Sequence, residues 1–231
     1  VYRSDVQVFE DFMNGPLRIL FPLVVALLAG SRTAAELSNR FVVNTRTRVS
    51  IRRRIAGRFM VTMLSMFVLF TVMGLINALV AFVVIPATVP ESINPAQYGL
   101  GSPASVQADA MLHAPLAALL DYGRVVFALG ASAWLGFNAA VFAAVTLIAV
   151  YVISRPVIAL MVPFGLYVLE SIVFQTIQLP GLSFLLSAVY PAGLQNYDPV
   201  QAFSPTLVLA FLTVAAMALV IMTSRRNPRL S

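Results

Sequence analysis

The chain has no cysteine and no lysine, and its single histidine is His113. Without cysteine there is no disulfide, no thiolate metal site and no cysteine nucleophile. Without lysine there is no phosphate-binding G-x-x-x-x-G-K-[ST] loop. One isolated histidine leaves little from which to build a metal centre or a Ser/His/Asp triad. Any ATP hydrolysis that uses a phosphate-binding loop of this kind must therefore belong to a partner.

Charged residues are scarce as well. Only 10% of the 231 residues are charged, whereas 60% are hydrophobic, and the mean hydropathy is +0.90. A soluble globular domain has about a quarter of its residues charged. The sequence therefore predicts an all-α integral membrane protein that forms a polytopic helical bundle in the cell membrane.

The fifteen basic residues, all arginine, are unevenly placed along the chain. Eight of them fall within residues 31–58, together with a single acid, Glu36. Apolar runs precede and follow this stretch, so the positive-inside rule predicts a cytoplasmic hinge between two membrane spans. Topology and contact with anionic lipid headgroups explain the net charge of +6 without nucleic acid as a partner.

Five apolar segments are predicted to cross the membrane, a task that takes about 20 helical residues. The run 59–85 has twenty-seven residues without a charge. The first is short, and its helix either extends past Arg18 and Arg32 or is partly shielded by neighbouring helices. The predicted spans cover residues 16–31, 59–85, 125–153, 157–177 and 205–223.

Residues 87–122 and 178–204 are predicted to be external. The first segment is rich in Pro and Gly and then carries a mildly amphipathic pattern over 104–120, suited to the membrane surface. The second contains an apolar stretch at 181–193 that is too short to cross and predicts a re-entrant or interfacial helix pair. This topology makes the C-terminus cytoplasmic, and we expect a sixth span upstream of Val1.

The basic hinge carries signs of folded structure. Thr33 and Glu36 have the spacing of a capping box, which predicts that a new helix starts near Thr33. Leu37 and Phe41 share one face of that helix, and the apolar pattern resumes at Ile51 after a polar break. The hinge therefore predicts two short amphipathic helices joined by a bend.

The layout resembles that of the permease subunits of type-2 ABC exporters. The stretch LFPLVVALLAGSRTAAELSNR is similar to the second span of that family and the acid-containing cytoplasmic helix after it. RIAGRFMVTML is similar to the entry to the third span, and GLSFLLSAVYPAG resembles the re-entrant segment before the last span. The resemblance implies six spans with a coupling helix in the link between the second and third.

The resemblance also implies a function, that of a transport subunit with no enzyme activity and no cofactor of its own. ATP and Mg²⁺ would bind a separate ABC ATP-binding subunit, and a second permease subunit, identical or different, would complete the path. The exported compound would be amphipathic, drug-like, peptide or lipid-like. The residues expected to couple to the ATP-binding subunit are Thr33, Glu36, Leu37, Arg40 and Phe41.

Polar groups inside the spans are candidates for a substrate path. Glu170 is the only acid within an apolar run, and an ionisable group at membrane depth is costly to bury. A helix break or contact with water near the outer end explains it equally well. Asn77, Trp134 and Asn138 are weaker candidates, because single polar residues in bundles usually hydrogen-bond a neighbouring helix.

Small residues recur every four positions through the third predicted span, a spacing that lets helix backbones approach closely in lipid. Packing within the chain is a better explanation for this stripe than a subunit interface. Its members are Ala128, Ser132, Gly136, Ala140 and Ala144.

Two other functions remain open. A secondary carrier or membrane-bound enzyme would be expected to carry internal repeats or intramembrane ionisable pairs, and neither is evident in the sequence. A non-transporting membrane anchor or sensor would use the basic hinge for membrane binding alone.

Overall fold

Five helices in the computed structural model are long and apolar enough to cross a membrane. The structure describes residues 1–38, 51–113, 115–191 and 199–223, and no strand is found within these ranges. The predicted all-α fold with five helices that could span a membrane is confirmed for these ranges. In chain order the α-helices are α1 (Asp5–Asn14), α2 (Pro16–Ser38), α3 (Ile51–Leu79), α4 (Ile85–Thr88), α5 (Pro103–His113), α6 (Arg124–Val152), α7 (Pro156–Thr176), α8 (Phe184–Ser187) and α9 (Pro199–Thr223).

Helix α2 is longer than the first predicted span. It begins at Pro16, whose missing N–H is not needed in a first turn, and it continues past both Arg18 and Arg32. The prediction of a new helix near Thr33 is wrong, because Thr33 lies inside a continuous helix and is 2% exposed. No glycine or proline interrupts the helix after Gly30, so the apolar span and the residues beyond it form one element.

Helix α3 includes the second part of the predicted hinge. It begins at Ile51 and continues through a π-helical turn, Val80–Val84, into α4. The wide turn precedes Pro86, whose ring would otherwise clash with a carbonyl of the preceding turn. The two ends of the predicted hinge are thus parts of α2 and α3, and the bend between them falls outside the described residues.

Helix α6 lies at the centre of the bundle. In the most apolar 18-residue stretch of α6, 78% of the stretch is buried. The same share is 22% for α3–α4 and for α7, and 11% for α9. The outer helices therefore expose broad apolar faces, which include Leu64, Leu169 and Phe211. Such faces fit a lipid environment, because water would make their exposure costly.

The stripe of small residues on α6 serves packing within the chain, as predicted. All five members are buried. The backbone of α3 approaches so closely at Gly74 that a Cβ there would lie 2.8 Å from Ser132 Oγ. A side chain at Gly136 would likewise collide with Thr71 and Phe67 of α3. Small residues are needed on both helices for this contact.

Helix α1 is a packed element that precedes the first predicted span. Ser4 caps it by accepting a hydrogen bond from the Gln7 amide at 3.1 Å. Its inner face contributes Phe9 to an aromatic cluster with Phe127 and Tyr190, in which the Phe9 ring centroid lies 5.5 Å and 5.7 Å from the other two.

The segments predicted to be external are partly helical. Helix α5 and the 3₁₀ turn Pro115–Tyr122 cover most of the predicted amphipathic stretch 104–120. Within its described residues, the other segment contains the 3₁₀ turn Pro180–Leu182, the single α-helical turn α8 and the first residues of α9. Several of its residues are buried among the long helices, namely Gly181, Ser183, Ser187, Ala188, Val189 and Tyr190.

The two ends of the bundle differ in charge. At one end, called the basic end, the C-terminal parts of α2, α6 and α9 meet the starts of α3 and α7. Its charged residues within the described ranges are Arg32, Glu36, Arg52, Arg53, Arg54, Arg58 and Arg155. The opposite end, called the acidic end, carries Arg3, Asp5, Glu10, Asp11, Arg18, Glu91, Asp109, Asp121 and Arg124.

Candidate functional site

An ion-pair cluster around Glu36 joins α2 to α3 at the basic end. Arg58 binds the Glu36 carboxylate through both Nη atoms, and Arg32 Nε donates to Glu36 Oε1 at 3.0 Å. The side chains of Glu36 and Arg58 are 18% and 23% exposed, whereas that of Arg32 is 85% exposed. The partly buried pair fixes the geometry of the two helices just where the chain leaves α2, and Arg32 remains open to an outside partner.

Of the other predicted coupling residues, two lie within the described part of the chain and two do not. Thr33 is buried in α2, and Leu37 packs against the apolar residues that join α2 to α3 and α6. Thr33 therefore presents no free surface to a partner, whereas Leu37 is half-buried. Arg40 and Phe41 lie outside the described residues, so their predicted role stays a prediction.

The start of α3 supplies the exposed positive charge of the basic end. Arg52 donates through Nη2 to the carbonyl oxygen of Met222 at 2.9 Å, which links α3 to the last turns of α9. Arg53 is exposed, and so is Arg155 at the turn between α6 and α7. This end is therefore suited to binding an anionic surface.

Glu170, the predicted acid of the substrate path, holds the short helix α8. Its two carboxylate oxygens lie 3.1 Å and 3.0 Å from the Phe184 backbone nitrogen, which donates to them. Ser171 and Ser183 also donate to Oε2, at 3.4 Å and 3.5 Å. The carboxylate thus accepts its hydrogen bonds from groups of its own chain, as an acid that caps the start of a helix would.

Trp134 and Asn138 are also engaged with neighbouring elements. Trp134 Nε1 donates to the Ser187 carbonyl oxygen at 2.9 Å, so it contacts the same short helix as Glu170. Asn138 donates to the Trp134 carbonyl oxygen and accepts from Thr206 Oγ1 of α9 at 3.0 Å. The structure therefore brings Glu170 and Trp134 together around α8 and joins Asn138 to them.

Asn77 lies elsewhere. Its Nδ2 donates to the carbonyl oxygen of Phe9 at 3.3 Å, which ties α3 to α1. This bond matches the usual role of a single polar residue in a helical bundle.

A second anchor of the α8 segment, Arg18, was not among the residues predicted from the sequence. Arg18 Nε donates to the Leu185 carbonyl oxygen at 2.5 Å, and Tyr167 Oη donates to the Arg18 carbonyl oxygen at 2.7 Å. Charged groups on α2 and α7 thus hold adjacent residues of α8. The signal was Arg18 itself, a charged residue near the start of an apolar run.

Glu10 was also missed. It is 8% exposed, and it accepts a hydrogen bond from Tyr190 Oη at 3.3 Å. Burial raises the pKa of Glu10 from its ordinary 4.5 to about 7, and it also raises the pKa of Tyr190 well above 10. Val6, Phe9 and Met13 repeat with a helical period, a pattern that predicts a buried face of α1.

Comparison with known proteins gives no family for this chain. No family model, no curated protein and no solved structure matches it. Within the described ranges no group of three or more His, Asp or Glu side chains could hold a metal ion. The geometry on which a function can be argued is therefore the basic end, and the network of hydrogen bonds around α8.

Proposed function

We propose that this chain is the transmembrane permease subunit of an ATP-driven exporter of the type-2 ABC class. The observation that carries the proposal is the junction between α2 and α3. Two long apolar helices are joined by a connection at the basic end, and the partly buried Glu36–Arg58 pair holds them together there. A pair of helices joined by such an ion pair can transmit the movement of a docked subunit to the membrane helices.

The charge distribution supports a cytoplasmic position for the basic end, by the positive-inside rule. In this orientation the acidic end is external and the chain crosses the membrane five times. The exposed Arg32 and Arg53 would then face a soluble ATP-binding subunit, which supplies the ATP and Mg²⁺ site. A second permease subunit, identical or different, would complete the path for an amphipathic, drug-like, peptide or lipid-like compound.

The test is co-purification of the tagged chain after gentle detergent extraction. We expect a P-loop ATPase, identified by mass spectrometry, to accompany the wild type. Phe41→Asp should release it, since this residue belongs to the connection between α2 and α3 and is predicted to dock. If no ATPase accompanies the wild type, a secondary carrier, a membrane enzyme or an anchor becomes the better account.

A charge swap separates docking from folding at Glu36. The Glu36→Arg variant breaks the pair with Arg58, and the double variant Glu36→Arg/Arg58→Glu restores an opposite-charge pair. If the partner binds the Glu36 carboxylate directly, the double variant still releases the ATPase. If Glu36 acts only by joining α2 to α3, the double variant recovers binding.

A further inference from the structure

An open cleft at the acidic end has no part in the function proposed above. It has a volume of about 670 Å³ and lies between the start of α1, residues 86–103, α5 and the start of α6. Sites for small molecules typically have about 300–1,000 Å³. Its walls are mainly apolar, with contributions from Val6, Pro86, Ile93, Leu100, Val106 and Leu120.

The walls of the cleft are held in place by the backbone. The Tyr2 amide donates to the Ser92 carbonyl oxygen at 2.6 Å, and the Asn94 amide donates to the Tyr2 carbonyl oxygen at 2.9 Å. Pro90, Pro95 and other prolines fix the backbone of the same wall. A preformed cleft loses little conformational entropy when it binds a ligand.

The charged residues inside the cleft cancel each other. Only Asp5 and Arg124 line it, and Arg124 Nη2 lies 2.8 Å from Asp5 Oδ2. Beside them, Arg3 forms a second pair with Asp109 at 3.1 Å. Both pairs are neutral overall, so neither gives the cleft a net charge.

Two exposed acids at the border of the cleft are not compensated. Glu91 follows the wall residue Pro90, and Asp121 follows Leu120 and accepts a hydrogen bond from Gln107 Nε2 at 2.8 Å. Neither has an ion pair with any residue that the structure describes. The cleft therefore combines apolar walls with two unbalanced negative charges.

We propose that this cleft binds an amphipathic organic cation. The apolar walls take up the hydrophobic body of the ligand, because burial of apolar surface is favourable. Glu91 and Asp121 attract its positive charge, while an anion of the same shape would be repelled. The proposal does not depend on the permease function, since it concerns only the acidic end.

The test uses two ions of nearly the same shape and opposite charge, tetraphenylphosphonium and tetraphenylborate. The chain is placed in nanodiscs of zwitterionic lipid, and binding is measured by equilibrium dialysis with empty nanodiscs subtracted. We expect saturable binding of the cation and none of the anion. Absence of saturable cation binding, or equal affinity for both ions, would overturn the proposal.

Gly101→Phe locates the bound cation. Gly101 lines the cleft, and an added Cβ there meets no atom within 4 Å, so the backbone has room for the first atom of a larger side chain. We expect at least a ten-fold loss of affinity. Gly165→Phe is the matched control, because Gly165 is equally open and lies on the exposed face of α7. Unchanged affinity in Gly101→Phe, or an equal loss in the control, would contradict the assignment.

The charge contribution is measured separately with Glu91→Gln/Asp121→Asn. Exposed charges contribute modestly, so we expect affinity to fall about three-fold at low ionic strength and less in high salt. Affinity that is independent of these two charges would overturn the preference for a cation. Monodisperse elution of each variant confirms that the bundle is intact.

Discussion

The carboxylate of Glu170 on α7 accepts the backbone N–H of Phe184, the first residue of α8, at 3.0 Å and 3.1 Å. Glu170, the only acid within a predicted span, is therefore hydrogen-bonded to the backbone of its own chain. The sequence analysis gives substrate contact, a helix break or contact with water as alternatives for Glu170. Its hydrogen bond to the first residue of α8 favours a further role, that of fixing the segment between α7 and α9.

Removal of this carboxylate should destabilise the bundle. In Glu170→Ala the Phe184 amide loses its acceptor, and loss of such a cap costs about 1–2 kcal/mol. Glu170→Gln keeps one acceptor oxygen and should recover most of the loss. Thermal unfolding in detergent measures both variants. If both lose transport and neither loses stability, Glu170 belongs to the substrate path instead.

The contact between α3 and α6 should tolerate no larger side chain. A Leu at Gly136 would collide with Thr71 and the backbone of Phe67, and such overpacking costs about 1–3 kcal/mol or more. We expect Gly136→Leu to lower the midpoint of thermal unfolding. Gly165→Leu is the control, since its added atoms meet open space. Equal stability of the two variants would show that α3 and α6 do not pack closely at this point.

The stability of the protein should fall as the pH rises from about 4.5 to 7. Burial raises the pKa of Glu10 in the folded chain to about 7, so the folded state binds a proton that the unfolded chain releases near 4.5. A shift of this size corresponds to about 3 kcal/mol, present at low pH and lost as the pH passes through 7.

Glu10→Gln isolates this effect, because it removes the charge and keeps a group that can bond to Tyr190. We expect the variant to match the wild type near pH 5 and to be more stable near pH 8. The measurement is thermal unfolding in detergent across this range. A wild type and a variant with parallel pH profiles would mean that Glu10 is not buried in its neutral form.

The proposed orientation can be tested with single thiols, since the natural chain has no cysteine. Arg53 and Gln97 are exposed at opposite ends of the bundle. In intact cells a membrane-impermeant maleimide should label Gln97→Cys and leave Arg53→Cys unlabelled until the membrane is opened. The reverse pattern would invert the topology.

Much of the fold could be predicted from the sequence because the bilayer imposes strong constraints on length and polarity. The uncharged run 59–85 predicted a long apolar helix. The small residues around Gly136 predicted close packing against another helix of the chain. Helix ends were less predictable. Thr33 and Glu36 have a spacing that occurs both in a capping box and inside a helix, so the motif could not show that α2 continues.

The sites were harder to predict because their partners are distant in sequence. Glu10 lies 180 residues from Tyr190, and Arg18 lies 167 residues from Leu185. No local sequence pattern predicts contacts between residues so far apart. The cleft near Gly101 depends in the same way on the packing of α1 against residues 86–103, which only the folded chain shows.

The central claim is that the basic end docks an ATP-binding subunit, and site-specific cross-linking tests it most directly. The Arg53→Cys and Gln97→Cys variants are treated in native membranes with a short thiol-to-amine cross-linker, and the products are identified by mass spectrometry. The account predicts a product that contains a P-loop ATPase with Arg53→Cys and none with Gln97→Cys. Absence of that product at the basic end, or its formation at the acidic end, would contradict the account.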